Sequence, residues 1–557
     1  MKTILTTIAL LLTTSLAYSK PVILFSDLTA APNTGWDTTN PTKGAVVTIW
    51  GFGFGQQRLN NFVSVSGVSL DNDLDYLDVW GKINNPVPNL QTLTFQLNNT
   101  IPQGEGGISV TVNGTQSNQV DFNVNDGRIF FTDVNSATDG TGTLQDPWKT
   151  PNSFLIQREL GDILYFRQGT YDEIYFGGKA NFWMRSGPST NVPPRDATRL
   201  KPISFVGFPN EVAIIDSETF GNSQFKTSFR IDAAHHTVAK LRIKAYSSGV
   251  NTTSDSARVV GNNLTGLQVL VDGAGMISLG GNNAKALGNS VHGARSNDKL
   301  DHGVYISGCA PDVGMEVAWN HIFDLDIEQG PYIVINHQGN RCPSSVFVKT
   351  HRVHHNIVDC SAYPSRGIGI YDLSWDPQEG ETNEPEAPMI YNNLVYSCGH
   401  AGTNYNSPSV YQSAAHGIWF NNMIMQSTQQ AISIGGTERF ISTQVFNNII
   451  ELSDPTKPYI SNEVTGFNIN NNMYYGAGDY PGNDPNAINS DPKITVDTNS
   501  WVLTIDPSSQ SIDNGIDVTA LDIGPRDLNG NERIANNIVD IGAIEYVRFM
   551  IFSSGFE

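Results

Sequence analysis

The chain has 557 residues, of which 39% are hydrophobic and only 16% charged, and its formal net charge is -21. That acidity argues against general affinity for nucleic acid or an anionic membrane, so an anionic ligand would need a local basic patch. Glycine is abundant, at 52 residues, and no long segment sustains 3.6-residue amphipathicity, which predicts an all-β protein rich in turns.

The chain opens with Met1 and Lys2, an apolar run over 4–16, then Ala17-Tyr18-Ser19. This is the layout of a secretory signal peptide over 1–19, with a secreted chain (extracellular, periplasmic or cell-surface) starting near Lys20. No later stretch approaches the ~18 consecutive apolar residues that cross a bilayer, so no membrane insertion is expected.

Over 20–125, short β-rich runs alternate with Gly, Asn and Pro turns, the spacing of a small β-sandwich. The early Pro21, the strand and turn from Val47 to Gly55, and the closing stretch from Val110 to Phe122 resemble the IPT/TIG immunoglobulin-like family. The resemblance implies a spacer, or an accessory domain that contacts sugar or protein.

Next comes a segment resembling the entry of secreted pectate-lyase-like right-handed parallel β-helix proteins of polysaccharide lyase type. The matching positions are Gly142, Thr143, Pro147, Trp148, Thr150, Gly161, Asp162, Tyr165, Gly169 and Tyr171. The resemblance implies a short capping helix and a solenoid, expected over 126–500. Independently, an apolar-x-x-Asn-Asn-apolar pattern recurs with Asn262, Asn289, Asn320, Asn356, Asn392, Asn421, Asn448 and Asn472 at its marked positions, 24 to 36 residues apart. Such periods signal a solenoid, and asparagines stacked at one turn bond along its axis.

Exported proteins favour disulfides. The four cysteines fall after equivalent strands of consecutive repeats, which predicts Cys309 with Cys342 and Cys360 with Cys398. Residues 501–546 resemble the closing segment of secreted bacterial β-helix proteins through Gly524, Arg526, Gly530, Arg533, Asp540, Gly542, Ala543 and Glu545. A sorting or processing tail is expected over 547–557.

Of the eleven histidines, seven fall between His292 and His355. Aligning strands there points Val304, Ile306, Ile333, Ile335, Ile368 and Ile370 inward. Tyr305, Asn336 and Tyr371 would face solvent on one sheet, with His302, His337, Arg341, Arg366 and Asp372 at its edges. This set suits β-elimination from a uronic-acid polysaccharide, which needs a cation for the substrate carboxylate, a base for the C5 proton and an acid for the leaving oxygen. Arg341 or Arg366 would neutralise the carboxylate; His302, His337 or Lys299 would be the base and Tyr305 the acid. Asn336, Tyr371 and Trp375 would contact sugar, Trp375 from an acidic loop beside the groove.

Asp324, Asp326 and Glu328 share one face if their segment is a strand, and three carboxylates so placed suit Ca²⁺, as in the calcium-assisted β-helix lyases; a solvated acidic turn is the equal alternative. The rival enzyme is an inverting glycoside hydrolase using Asp301, Asp326 and Asp372. The non-enzymatic alternative is a carbohydrate-binding protein or adhesin. The expected partner is an anionic polysaccharide, acted on by a monomer without an organic cofactor.

Overall fold

The computed structural model describes residues 20–547 except 79, 84–86, 174–179, 186–194, 218–226, 268–274, 297–299, 308–313, 328–329, 338–350, 373–386, 402–405, 413–416, 436–442, 463–467 and 535–537. The expected leader over 1–19, the expected tail over 547–557 apart from its first residue, and Lys299, Cys309, Glu328, Arg341, Cys342 and Trp375 thus lie outside the described residues. Of His337 and Asp372, only the backbone is described.

The chain is all-β, with an amino-terminal sandwich followed by a right-handed parallel β-helix. In the sandwich, one sheet centres on Lys43–Phe52, flanked antiparallel by Val22–Ser26 and Gln91–Asn98. The facing sheet centres on Gly104–Val112, between Phe62–Val65 and Val120–Asn125. Alternating apolar side chains such as Val47, Ile49, Val63, Val65, Phe95, Ile108 and Val110 fill the space between them.

Among the described residues, the solenoid has three parallel sheets of 12, 13 and 10 strands. The first runs from Ile129–Thr132 to Asn468–Asn470, the second from Gly169–Tyr171 to Ile488–Asn489, and the third from Ala180–Arg185 to Ile460–Asn462. The expected helix at its entry is Asn152–Gln157, which buries Phe154 and Leu155 over the first coil, while Trp148 stacks on Phe130 at 4.8 Å. Stacked Val, Ile and Leu side chains from every coil form one continuous core.

An asparagine ladder joins the first sheet to the second. Each ladder asparagine accepts from the backbone N–H and the side-chain amide of the one before it, through Asn262, Asn289, Asn320, Asn356, Asn393, Asn422, Asn448 and Asn472. Asp484 closes the ladder by accepting from Asn472. Two positions differ from the sequence-based register, since Asn393 and Asn422, and not Asn392 and Asn421, occupy the ladder. Asn392 and Asn421 take the left-handed conformation one residue earlier, at φ 52° and 53°.

That left-handed position recurs at Lys240, Gly261, Gly288, Trp319, His355, Asn447 and Asn471, and the row docks other parts of the chain. Lys240 pairs with the buried Asp27 of the sandwich at 2.9 Å. At Gly261 a Cβ would come within 2.7 Å of Trp50, and at Gly288 within 2.9 Å of Phe25, so only glycine lets those rings press on the solenoid. Further along, the row grips the closing segment. Asn421 donates to the Asp540 carbonyl at 3.0 Å, Asn447 to Ile516 at 2.8 Å and Asn471 to Asn514 at 2.7 Å.

Cys360 and Cys398 form the expected disulfide between adjacent coils of the second sheet, with Cα atoms 4.8 Å apart.

Candidate active site

The third sheet presents its outer face where the strands His302–Ser307, Pro331–His337, Arg366–Asp372 and Val410–Gln412 stack. The six residues expected to point inward, from Val304 to Ile370, are all fully buried in the core. The alternation of the strand thus leaves two outward rows. One holds Ser307, Asn336 and Tyr371; the other holds Tyr305, Val334, Gly369 and Tyr411. Tyr305 therefore lies two residues away from the row of Asn336 and Tyr371 rather than within it. It is also 9% exposed, stacked against His302 at 5.4 Å.

His302 is 4% exposed, and its Nδ1 lies 2.9 Å from the carbonyl of Pro331. Its ring thus braces the start of the strands. Asp301 just before it is fully buried and accepts from the Ser296 hydroxyl. Asn336 keeps a buried Oδ1 without a hydrogen-bond donor among the described residues. The backbones of His337 and Asp372 face one another across neighbouring coils.

The tightest chemical grouping is Arg366 with Tyr371 and Tyr411. Arg366 Nη1 donates to the Tyr371 hydroxyl oxygen at 2.6 Å, and its guanidinium lies 5.0 Å from the centre of the Tyr411 ring. The two tyrosine rings are 5.1 Å apart. Gly369 makes this geometry possible, because a Cβ there would meet Tyr371 at 2.8 Å and Pro331 at 2.9 Å. Burial raises the Tyr371 pKa, and the nearby Arg366 opposes that only in part. At neutral pH the phenol keeps its proton and can give it away. Arg366 Nε is buried without an acceptor among the described residues.

Tyr411 was outside the histidine-centred window and was missed. Its signal is present in the alignment of "SVYQS" with "GIGIYD" on the next coil. The histidines, by contrast, spread over several faces of the solenoid. His321 packs against Phe323 and Trp501 beside the second sheet, and His354 and His355 sit under the sandwich and closing segment, linked to Glu316 and to the Arg526 carbonyl.

The acidic stretch from Asp324 is not a single strand. Asp324 is left-handed, at φ 53°, and ends the strand His321–Phe323; Asp326 begins the short strand Asp326–Ile327. Asp324 already pairs with Arg295 at 3.0 Å. The expected common face of Asp324 and Asp326 is broken by that turn, and among the described residues no three His, Cys, Asp or Glu side chains group closely enough to hold a metal. Of the three hydrolase candidates, Asp301, Asp326 and Asp372, the first and last are far apart along the backbone. They flank opposite ends of the strand window two coils apart, roughly 20 Å or more at ~3.3 Å per residue, well beyond the ~6.5–9.5 Å an inverting pair spans.

No protein-family model matches the chain, and no curated protein matches it. Solved structures do. A pectate lyase, Pel9A, is 13% identical with a TM-score of 0.46, covering 76% of this chain and 97% of its own. XylC in complex with xylose is 12% identical with a TM-score of 0.42, covering 66% and 88%. A polysaccharide lyase of family PL6, Pedsa3628 from Pseudopedobacter saltans, is 12% identical with a TM-score of 0.32, covering 65% and 96%. Likeness at this level does not separate one chemistry from another.

Proposed function

We propose that the outer face of the third sheet is the catalytic face of a secreted polysaccharide lyase that cleaves a uronic-acid-containing glycan by β-elimination. The observation that carries this reading is the Arg366–Tyr371 pair, a cation and a protonated phenol held 2.6 Å apart on an outward face. Arg366 neutralises the uronate carboxylate, which makes the C5 proton more acidic and stabilises the carbanion that forms. A base takes that proton, the electron pair becomes the C4–C5 double bond, and the C4–O bond breaks. Tyr371, and not Tyr305, protonates the departing oxygen. His337, at the strand end one coil below and in register with Asp372, is the base we favour; Lys299 is the alternative base, and Arg341 the alternative to Arg366 for the carboxylate. Tyr411 and Asn336 would contact the sugar.

Asp324 is already paired with Arg295 and lies off the short strand that holds Asp326, so Arg366 carries the neutralisation of the carboxylate. The sandwich, read as an IPT/TIG-type domain, serves as an accessory module. The test incubates the purified protein with pectate, alginate and glucuronate-containing polysaccharides, with Ca²⁺ and with chelator, while following the ultraviolet absorbance of unsaturated uronates. A rise that is lost in Arg366→Gln supports the proposal. New reducing ends without absorbance would move the case to a hydrolase.

A further inference from the structure

The sandwich and the first sheet of the solenoid leave a groove along their seam. Two cavities, of about 840 Å³ and 390 Å³, share Thr29, Asp121, Arg258 and Lys285 and so run into one another. Each volume lies within the ~300–1,000 Å³ typical of ligand sites. The floor is an outward row of the first sheet, in which Thr237, Arg258, Lys285 and Glu316 follow one another in register, one per coil. The steps are ~4.8 Å, so the groove is suited to an extended chain lying along the solenoid axis.

The charges facing this groove are mostly spoken for. Glu316 is held by Lys285 at 2.6 Å and by His354 at 3.2 Å. Glu105 on the sandwich wall is paired with Arg199, and Asp121 stands exposed at the rim. Two arginines are different: Arg526, in the smaller cavity, has Nε and Nη1 buried without an acceptor among the described residues, and Arg258 stands on the floor the two cavities share. The one hydrogen bond of Arg258 is from Nη2 to the Ser26 carbonyl at 2.6 Å, it makes no ion pair among the described residues, and its Nε is buried without an acceptor. A guanidinium removed from water with donors unmatched is costly unless an acceptor arrives, and a carboxylate meets its planar fork with two parallel bonds. Around it, Asn123, Thr237, Ser256 and Asn283 line the walls with short amides and hydroxyls that match the hydroxyls of a sugar.

We infer that this seam groove is a second glycan-binding site, which holds a uronate-bearing segment with its carboxylate on Arg258. The site rests on the proposed lyase reading only for its class of ligand, and binds whether or not the third sheet is catalytic. It would keep a long substrate tethered while the third sheet works on another stretch of it.

The test is calorimetric titration of the full chain with hexamers of galacturonate, of mannuronate and guluronate, and of a glucuronate-containing glycan, each beside its carboxyl-reduced form. The Arg366→Gln protein is the background, so turnover does not interfere. At least one acidic hexamer is expected to bind and its reduced form not to. Arg258→Gln should weaken binding about tenfold, the size of one lost charge-assisted contact. Asp121→Asn, an exposed change that threatens no core, should tighten binding about threefold by removing a facing negative charge. If Arg258→Gln does not fold, Asp121→Asn decides alone. Binding by none of the acidic hexamers, equal binding of reduced forms, an unchanged affinity in a folded Arg258→Gln protein, or an unchanged affinity in Asp121→Asn would each overturn the inference. Binding that follows this pattern while wild type yields no unsaturated product would leave the seam site standing and sink the lyase reading instead.

Discussion

Replacing Asn393 by alanine should cost far more than replacing its neighbour Asn392. Asn393 is fully buried, and its Oδ1 accepts from the backbone N–H and the side-chain amide of Asn356, both at 3.0 Å. Its Nδ2 donates to the Val353 carbonyl at 2.9 Å and to Asn422 Oδ1 at 3.0 Å. Alanine leaves the Asn356 N–H and the Val353 carbonyl buried without partners and weakens two further links. At about 1–3 kcal/mol for each stranded group, the loss is about 4 kcal/mol. Asn392 makes one side-chain hydrogen bond among the described residues, to His355 at 3.1 Å, and alanine there chiefly adds the cost of a left-handed non-glycine residue, about 1–2 kcal/mol. Urea unfolding followed by far-ultraviolet circular dichroism measures both. Equal losses, or a larger loss at Asn392, would refute the ladder register.

Tyr371→Phe should lower turnover at least about 100-fold, the usual span of a general acid, with little change in melting temperature; rates and melts on the same preparation check this. Substituting Cys360 and Cys398 together by serine opens a loop with sequence separation 38, and chain-entropy arguments put the loss near about 4 kcal/mol, read as a lower urea midpoint. His236 is fully buried and His321 partly buried, and desolvation lowers each pKa to about 3. The unfolded chain binds protons more readily, so this stability is present above pH ~6.5 and is lost as pH falls toward the folded values, at about 1.4 kcal/mol per unit for each histidine. His321→Phe should make the acid limb of a stability profile measurably shallower; an unchanged limb would contradict the assignment.

Much of the architecture was legible because it is written in period. Repeats of similar length, each with an asparagine two residues before an inward apolar residue, require stacked coils, and Cys360 with Cys398 followed from the same register. The slip at Asn392 and Asn421 came from the doublets "YNN" and "FNN". Counting back two from the inward Val395 and Ile424 selects Asn393 and Asn422, whereas counting forward from the preceding strand selects the left-handed residue. The inward residues of the third sheet were legible for the same reason of alternation. The site was harder. A coil of some thirty residues carries neighbours in sequence around three faces, so the histidines resolve into pairs away from the third sheet, His292 and His321 on Phe323 and His354 against His355. Arg366 and Tyr371 were both singled out, but their contact depends on Gly369 admitting a ring across the strand, a steric fact that composition does not contain. The Asp324–Asp326 face failed because one left-handed residue reset the alternation.

The most direct test of the elimination mechanism is to run the reaction in ¹⁸O-labelled water and weigh the products. Elimination breaks the C4–O bond without adding water, so the account predicts an unsaturated uronate at the new non-reducing end and no solvent oxygen at the cleaved bond. One labelled oxygen at that bond, with no unsaturated end, would mean hydrolysis and would contradict it.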